Sequence, residues 1–231
     1  MDEDGIVIRN KARLVAQDMM KKYGFFDCKP TKTLMSSSTS IGADPNGDDV
    51  NAILFQGMMG SLLYLIASRP DIMFPTIFCA RYQANPKECH NLTMKMNFRY
   101  LKHTTNLGSW YPRDSEFKLV GYTDFDHGRC RIDRKSTSGG AQMLGNRLIS
   151  WSKKKHTSVA CSTAKPEYVA AGRCCAWILW IQNQLLDYGL NFSKTPIFRD
   201  NTSTIQVIQN PVQHSKTKHI EIRHHFIRDI V

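Results

Sequence analysis

The chain has 231 residues, which is enough for one or two domains with a buried core. Apolar residues make up 42% and charged residues 22%, so the composition excludes wholesale disorder. The net charge of +11 and the pI near 9.4 favour a polyanionic partner, with nucleic acid first and an anionic membrane surface second.

The seven cysteines favour neither a disulfide framework nor a structural zinc site. Their number is odd and no Cys-x-x-Cys pair occurs, so a reducing compartment fits best. Residues 1–14 are charged and lack the apolar centre of a signal peptide. The longest apolar run, near residues 62–67, is too short to span a bilayer, and we expect no membrane association.

The first half of the chain predicts a small helical segment. Residues 1–35 have weak periodicity, and residues 35–49 are rich in Ser, Gly, Pro and Asp, which indicates a linker or long loop. Between residues 50 and 103 apolar residues recur at helical spacing, which predicts three helices separated by Pro70 and Pro86. The first apolar stripe is predicted to be core: Phe55, Met58, Met59, Leu62, Leu63 and Ile66.

The second half predicts an α/β fold. Residues 117–124, 135–144 and 147–155 read as strands, with a hairpin turn at Gly145-Asn146. A long helix over 166–188, a strand over 196–200, a short helix over 202–209 and a helical segment over 217–231 follow. This order predicts a mixed sheet flanked by helices.

Basic residues cluster between positions 129 and 155. The eight residues carry most of the net charge, and Asp133 alone opposes them. A cluster of this kind is better explained by phosphate contacts than by a solvated surface. Its members are Arg129, Arg131, Arg134, Lys135, Arg147, Lys153, Lys154 and Lys155.

Four acids lie at the ends of predicted elements. Asp124 and Asp200 end strands, Glu167 opens the long helix, and Glu221 lies in the last segment. Carboxylates held together repel unless cations neutralise them, and Mg²⁺ prefers oxygen ligands. Taken singly, each acid is better explained as a helix cap or a surface charge than as a metal ligand, so the four positions alone do not establish a metal site.

Four strings resemble copia-type LTR retrotransposon Pol polyproteins. Residues 118–140 contain YTDFD and RKSTSGG, which are similar to YTDADWAG and RKSTSG of the family's ribonuclease H domain. Residues 159–171 resemble the family's LSSAEAEYMA, and residues 196–229 resemble CDN…NP…HSRTKHIDIRYHFIR. Residues 58–86 resemble the helical segment that follows the polymerase palm. The resemblance covers nearly the whole chain and implies a ribonuclease H-like fold.

The resemblance also implies a metal-dependent endonuclease that cleaves the RNA strand of RNA–DNA hybrids. The acids that fall on the family's catalytic metal-binding positions are Asp124, Glu167, Asp200 and Glu221, where the family more often has Asp at the last position. Two Mg²⁺ ions are expected, or Mn²⁺ in their place, with no small-molecule cofactor. His219 or His225 would assist proton transfer, or simply pack. The hybrid would be held by Arg129, Arg131, Arg134, Lys135, Lys153, Lys154 and Lys155. The family's life cycle implies a cytoplasmic or nuclear location.

The upstream region departs from the family. Residues 6–17 resemble the start of the reverse transcriptase, whereas residues 18–30 resemble sequence beyond its palm. The Tyr-x-Asp-Asp polymerase motif is absent, so we infer an internal deletion near residues 17–19 and expect no polymerase activity. The expected divisions are a reverse transcriptase remnant (1–17), a residual segment and linker (18–49), a helical connection (50–112) and a ribonuclease H-like domain (113–231).

The nuclease region departs from its family at three places. His127 replaces Trp, Lys165-Pro166 replaces Glu-Ala, and Arg199 replaces Cys. On a strand Arg199 should point away from Asp200, which would spare the metal site but cost stability on a buried face unless the charge is paired. Two alternatives to the nuclease stay open: a catalytically decayed remnant that at most binds nucleic acid, and a helical interaction module over residues 50–105.

Overall fold

The computed structural model describes residues 11–35, 41–112, 116–126, 136–155, 164–192 and 194–199. The chain divides into two compact units, Met1–Ser109 and Trp110–Val231. Each unit has its own hydrophobic clusters and is described separately.

The first unit is helical. It contains helix α1 (Lys11–Lys22), α2 (Ala52–Leu65), a 3₁₀ turn (Pro70–Ile72), α3 (Met73–Ala80) and α4 (Glu88–His103). The three helices expected between residues 50 and 103 are confirmed, and Pro70 and Pro86 lie between them. Helix α1 was not predicted, and it runs without interruption through residues 17–19, the place of the inferred deletion.

The core of the helical unit is formed by the apolar stripe of α2 together with α1 and α4. Phe55, Met59 and Leu62 are almost inaccessible to solvent, as expected from their spacing. Leu63 was predicted to be core, but this is wrong because its side chain is 43% exposed. At 100° per residue Leu63 lies beyond the edge of the stripe that faces the other helices.

A buried arginine fixes the loop after α2. Arg69 is 2% exposed, and its guanidinium donates hydrogen bonds to both carboxylate oxygens of Asp71 at 2.9 and 2.7 Å. It also donates to the backbone carbonyl oxygen and the Oγ1 atom of Thr104, at 3.0 and 2.6 Å. This arrangement joins the end of α2 to the end of α4.

His90 in the first turn of α4 is fully buried and lies flat against Tyr82. Its Nδ1 atom accepts a hydrogen bond from the backbone N–H of Lys87 at 2.8 Å, so the ring proton resides on Nε2. Nε2 then donates to the carbonyl oxygen of Gly42 at 2.6 Å. Burial lowers the pKa of His90, which keeps the imidazole neutral.

The second unit contains a four-stranded mixed sheet. Its strands are β1 (Leu119–Asp126), β2 (Thr137–Leu144), β3 (Arg147–Lys155) and β4 (Ile197–Phe198), in the spatial order β3-β2-β1-β4. The first three pair antiparallel, whereas β4 pairs parallel to β1. With helix α5 (Ala164–Leu186), this sheet confirms the predicted α/β fold class, including the hairpin turn, where Gly145 has a φ of 60°.

Side-chain alternation on β1 determines which face of the sheet carries α5. Leu119, Gly121 and Thr123 are buried, whereas Tyr122 and Asp124, which alternate with them, are exposed. Leu119 belongs to a cluster formed by Leu144, Cys174, Ile178 and Ile181. Helix α5 therefore covers one face of the sheet, and Tyr122 and Asp124 belong to the other.

In the part of the chain that the structure describes, every helix is too short or too polar to cross a lipid bilayer.

Candidate active site

Asp124 lies near the carboxyl end of β1, between strands β2 and β4. It pairs with Gly139 on β2, and its side chain is exposed. The pairing of β1 with β4 covers Gly121 and Tyr122, so Asp124 lies two residues beyond it. The strand was predicted to end at Asp124, but it continues for two residues, to Asp126.

Glu167 lies in the first turn of α5 and is 7% exposed. The free N–H groups of a helix's first turn and the helix dipole both favour a negative charge there. The placement predicted for Glu167, at the opening of the long helix, is observed. A buried carboxylate nevertheless needs a cationic or hydrogen-bonding partner.

Asp124 and Glu167 extend from one crossing point towards the same end of the sheet. A Cβ atom on Gly121 would lie 2.5 Å from Ile178 and 3.2 Å from Cys174, so α5 crosses β1 there. The Cys174 Sγ atom lies 3.9 Å from the carbonyl oxygen of Tyr122, so the helix and the strand run in opposite directions. From Gly121 to Asp124 is about 10 Å along a strand. From Cys174 back to Glu167 is also about 10 Å along a helix.

Arg199 follows β4 and forms an ion pair with Glu167. Its Nη2 atom donates to Oε2 of Glu167 at 3.1 Å, and the two side chains are 8% and 9% exposed. Arg199 was expected to point away from Asp200 and so to spare the predicted metal-binding acids, but it pairs with Glu167, which is one of them. Residues 197 and 199 share one face of the strand, and Ile197 packs against α5, so the long Arg199 side chain reaches the helix's first turn.

Several predicted site residues lie outside the described residues. These are Asp200, Glu221, His219, His225, Arg129, Arg131, Arg134 and Lys135, as well as the departure at His127. Across the described ranges no group of three or more His, Cys, Asp or Glu side chains is placed to hold a metal. Asp124 and Glu167 still provide the carboxylate oxygens that Mg²⁺ prefers, so the donor chemistry of the pair fits this ion.

The curated relatives of this chain are transposon proteins. A retrovirus-related Pol polyprotein from transposon RE1 of Arabidopsis thaliana is 32% identical over 215 residues, which are 93% of this chain and 15% of the relative. One from transposon TNT 1-94 of Nicotiana tabacum is 33% identical over 221 residues, 92% of this chain and 16% of the relative. An uncharacterized mitochondrial protein of Arabidopsis thaliana is 30% identical, and the match covers 71% of this chain and 68% of that protein.

The chain belongs to the copia-type family of transposon Pol polyproteins. It spans about 15% of the length of the Pol polyproteins named above. No family model matches the chain, and no solved structure matches it either. The family membership therefore rests on the curated relatives, and the fold on the structure of the chain itself.

Lysines 153–155 of this Pol-family chain do not form one surface. They are consecutive on β3, so Lys154 points to one face of the sheet and Lys153 and Lys155 to the other. Lys154 pairs with Ser138, which is buried under α5, so Lys154 lies on the helix side. These three members of the predicted basic cluster are thus divided between two faces of the sheet.

Two features of the site were missed in the sequence of this Pol-family chain. Tyr122 and Phe198 stack at 5.5 Å between ring centroids on the face that carries Asp124, and both are about half exposed. Their pairing follows from the parallel register of β4, which the sequence does not specify. The second feature is the Arg199–Glu167 pair, for which the only signal was an unexpected charge in an otherwise apolar strand.

Burial raises the pKa of the Cys174 thiol to about 11, although hydrogen bonding from Gln142 and the charge of Arg199 oppose this rise. The thiol therefore stays protonated at neutral pH and is unsuited to act as a nucleophile or a metal ligand. Its role beneath the site is packing between α5 and β1.

Proposed function

We propose that the second unit is a Mg²⁺-dependent endonuclease that cleaves the RNA strand of an RNA–DNA hybrid. One observation carries the proposal: α5 crosses β1 near Gly121 and runs in the opposite direction, so Glu167 at the start of α5 and Asp124 on β1 both lie towards the carboxyl end of that strand. The similarity to retrovirus-related Pol polyproteins from transposons supports the proposal.

Asp124 and Glu167 would hold the divalent ion, together with Asp200 and Glu221. Bound Mg²⁺ supplies electrostatic stabilisation of the phosphodiester's oxygens and lowers the pKa of a water molecule. Asp124 is exposed and lies on the face of the sheet opposite α5, where its carboxylate would meet a hybrid. The half-exposed rings of Tyr122 and Phe198 lie on the same face and provide flat apolar surface for the sugar or base edges of a bound strand.

Basic side chains would hold the backbone of the hybrid. Lys153 and Lys155 lie on the face of the sheet that carries Asp124, and the net charge of +11 gives long-range attraction to a polyanion. Because each phosphate contact releases counterions, hybrid affinity should fall steeply with salt concentration. Duplex RNA-DNA shape and 2′-hydroxyl contacts would distinguish the hybrid from duplex DNA.

The test is cleavage of a labelled RNA–DNA hybrid by the purified full chain, with Mg²⁺ or with EDTA. We expect cleavage with Mg²⁺ that EDTA and Asp124→Asn both abolish. Asp187→Asn is the matched control, because Asp187 is exposed directly after the last residue of α5 and the same chemical change there should leave cleavage intact. A folded wild-type chain that binds hybrid without cutting it would refute the proposal and leave a non-catalytic remnant.

A further inference from the structure

The Arg199–Glu167 ion pair lies inside the proposed metal site. Glu167 is a buried carboxylate in a helix's first turn, and the guanidinium of Arg199 reaches it from the strand side at 3.1 Å. Both side chains are more than nine-tenths buried, so solvent screens their attraction only weakly. The pair is therefore a strong electrostatic feature of the unit, in contrast to an exposed surface pair.

We propose that Arg199 is a built-in competitor of the divalent cation, because its guanidinium occupies the Glu167 carboxylate that the metal needs. The proposal rests on the proposed function, since it assigns Glu167 as a ligand. Arg199 thereby determines how much Mg²⁺ the site requires.

Competition follows from the chemistry of the two cations. A guanidinium and Mg²⁺ both seek the same carboxylate oxygens, and each repels the other when both are close. A metal ion that binds the Glu167 carboxylate also weakens the ion pair of the buried Arg199 guanidinium, and this costs free energy. Either effect lowers metal affinity relative to a chain that has an uncharged residue at position 199.

The position of Arg199 on the strand directs its side chain towards Glu167. Ile197 packs against Tyr168 and Cys175 of α5, and residue 199 projects from the same face of the chain. A short, uncharged side chain at position 199 would not form an ion pair with Glu167. The Cys that copia-type sequences have at this position carries no positive charge, so the competitor is a property of this chain.

The experiment measures Mg²⁺ and Ca²⁺ binding by titration calorimetry on the full chain, without nucleic acid. Arg199→Met removes the charge at similar length, and Arg199→Cys introduces the family's residue. Lys194→Met is the matched control, because it removes one positive charge from an exposed position in the segment that leads into β4. Arg199→Lys retains the charge, and circular dichroism checks that each variant is folded.

We expect Arg199→Met and Arg199→Cys to bind Mg²⁺ at least about tenfold more tightly than the wild type, equivalent to about 1.4 kcal/mol. Arg199→Lys should stay close to the wild type, and Lys194→Met should change affinity by less than about twofold because exposed charges contribute little.

Equal affinities in the wild type and both neutral variants would overturn the proposal even if the wild type cleaves hybrid. Tighter binding in these variants without any cleavage would support the competition and refute the nuclease. Absence of divalent-cation binding in every folded variant would refute both.

Discussion

Replacing Gly121 by Ala tests whether the crossing of α5 over β1 sets the geometry of the site. A Cβ atom at this position would lie 2.5 Å from Cδ1 of Ile178 and 3.2 Å from Sγ of Cys174. Carbon atoms in contact prefer a separation of about 3.5–4.0 Å. The shortfall of about 1 Å must be absorbed by the Ile178 rotamer or by movement of the helix away from the strand.

The expected cost of Gly121→Ala is about 1–2 kcal/mol in the free energy of unfolding of the second unit. Adding a methyl group to a well-packed core typically costs about 1–3 kcal/mol. The smaller conformational entropy of the unfolded chain offsets about 0.4–1 kcal/mol of this. Because Glu167 and Asp124 extend from this crossing, helix movement should also weaken Mg²⁺ binding.

Tryptophan fluorescence during urea unfolding is the assay, since it reports on the second unit alone. The chain has four tryptophans, and all of them lie in that unit: Trp110, Trp151, Trp177 and Trp180. The shift of the midpoint at constant slope gives the change in stability without a contribution from the helical unit.

The double variant Gly121→Ala with Ile178→Val decides whether the reasoning is right. Ile178→Val removes the Cδ1 atom that the new methyl group meets and by itself should cost about 0.5–1.5 kcal/mol. If the two groups collide, the double variant is more stable than the sum of the single costs implies. Strict additivity of the two changes, or a Gly121→Ala variant as stable as the wild type, would refute the assigned crossing.

Two predictions concern the helical unit. Arg69→Met should lower the free energy of unfolding of this unit by about 3 kcal/mol. This is the lower end for a broken buried ion pair, because the Asp71 side chain is 24% exposed and stays partly solvated. Hydrogen exchange of α2 and α4 measures the change, and unchanged exchange would contradict the prediction. Since burial lowers the pKa of His90 below 6.5, the stability it contributes is complete above that pH and is lost as the pH falls further. Protonated Nδ1 could no longer accept from the Lys87 N–H, so the helical circular dichroism signal should melt at a lower temperature at about pH 5 than at about pH 8. The His90→Asn variant should lose this pH dependence, and a wild-type melting temperature that does not change with pH would argue against it.

Regular periodicity made most of the fold predictable from the sequence. Strand β3 begins at Arg147 and ends at Lys155 as expected, because the Gly145-Asn146 turn and the run of three lysines mark its ends. Helix α1 could not be predicted in this way. Its buried residues Ala16, Met19 and Met20 form only a short apolar stripe. The residues that pack against this stripe lie far along the chain, on α2 and α4.

The site was predictable only in part, because sequence gives the element of each acid but not its partners. Glu167 lies in the first turn of the predicted helix, and Asp124 lies on the predicted strand, two residues before its end. The alternation rule placed Arg199 on the face away from that expected for Asp200. The rule did not indicate that Glu167 of α5 lies on the same face as Arg199, because the position of Glu167 depends on where the helix crosses the strand.

A charge count explains why one residue at position 199 matters so much. The proposed ligands Asp124, Glu167, Asp200 and Glu221 together bring four negative charges to the divalent cation. Arg199 reduces the charge available to that cation by one, inside a region where Glu167 is shielded from water. Because cation affinity follows the charge and number of the carboxylate ligands, the chain with Arg199 should need a higher Mg²⁺ concentration than one with Cys. The same contact supplies the partner that a buried Glu167 requires in the absence of metal, so Arg199 should stabilise the metal-free fold while it weakens metal binding.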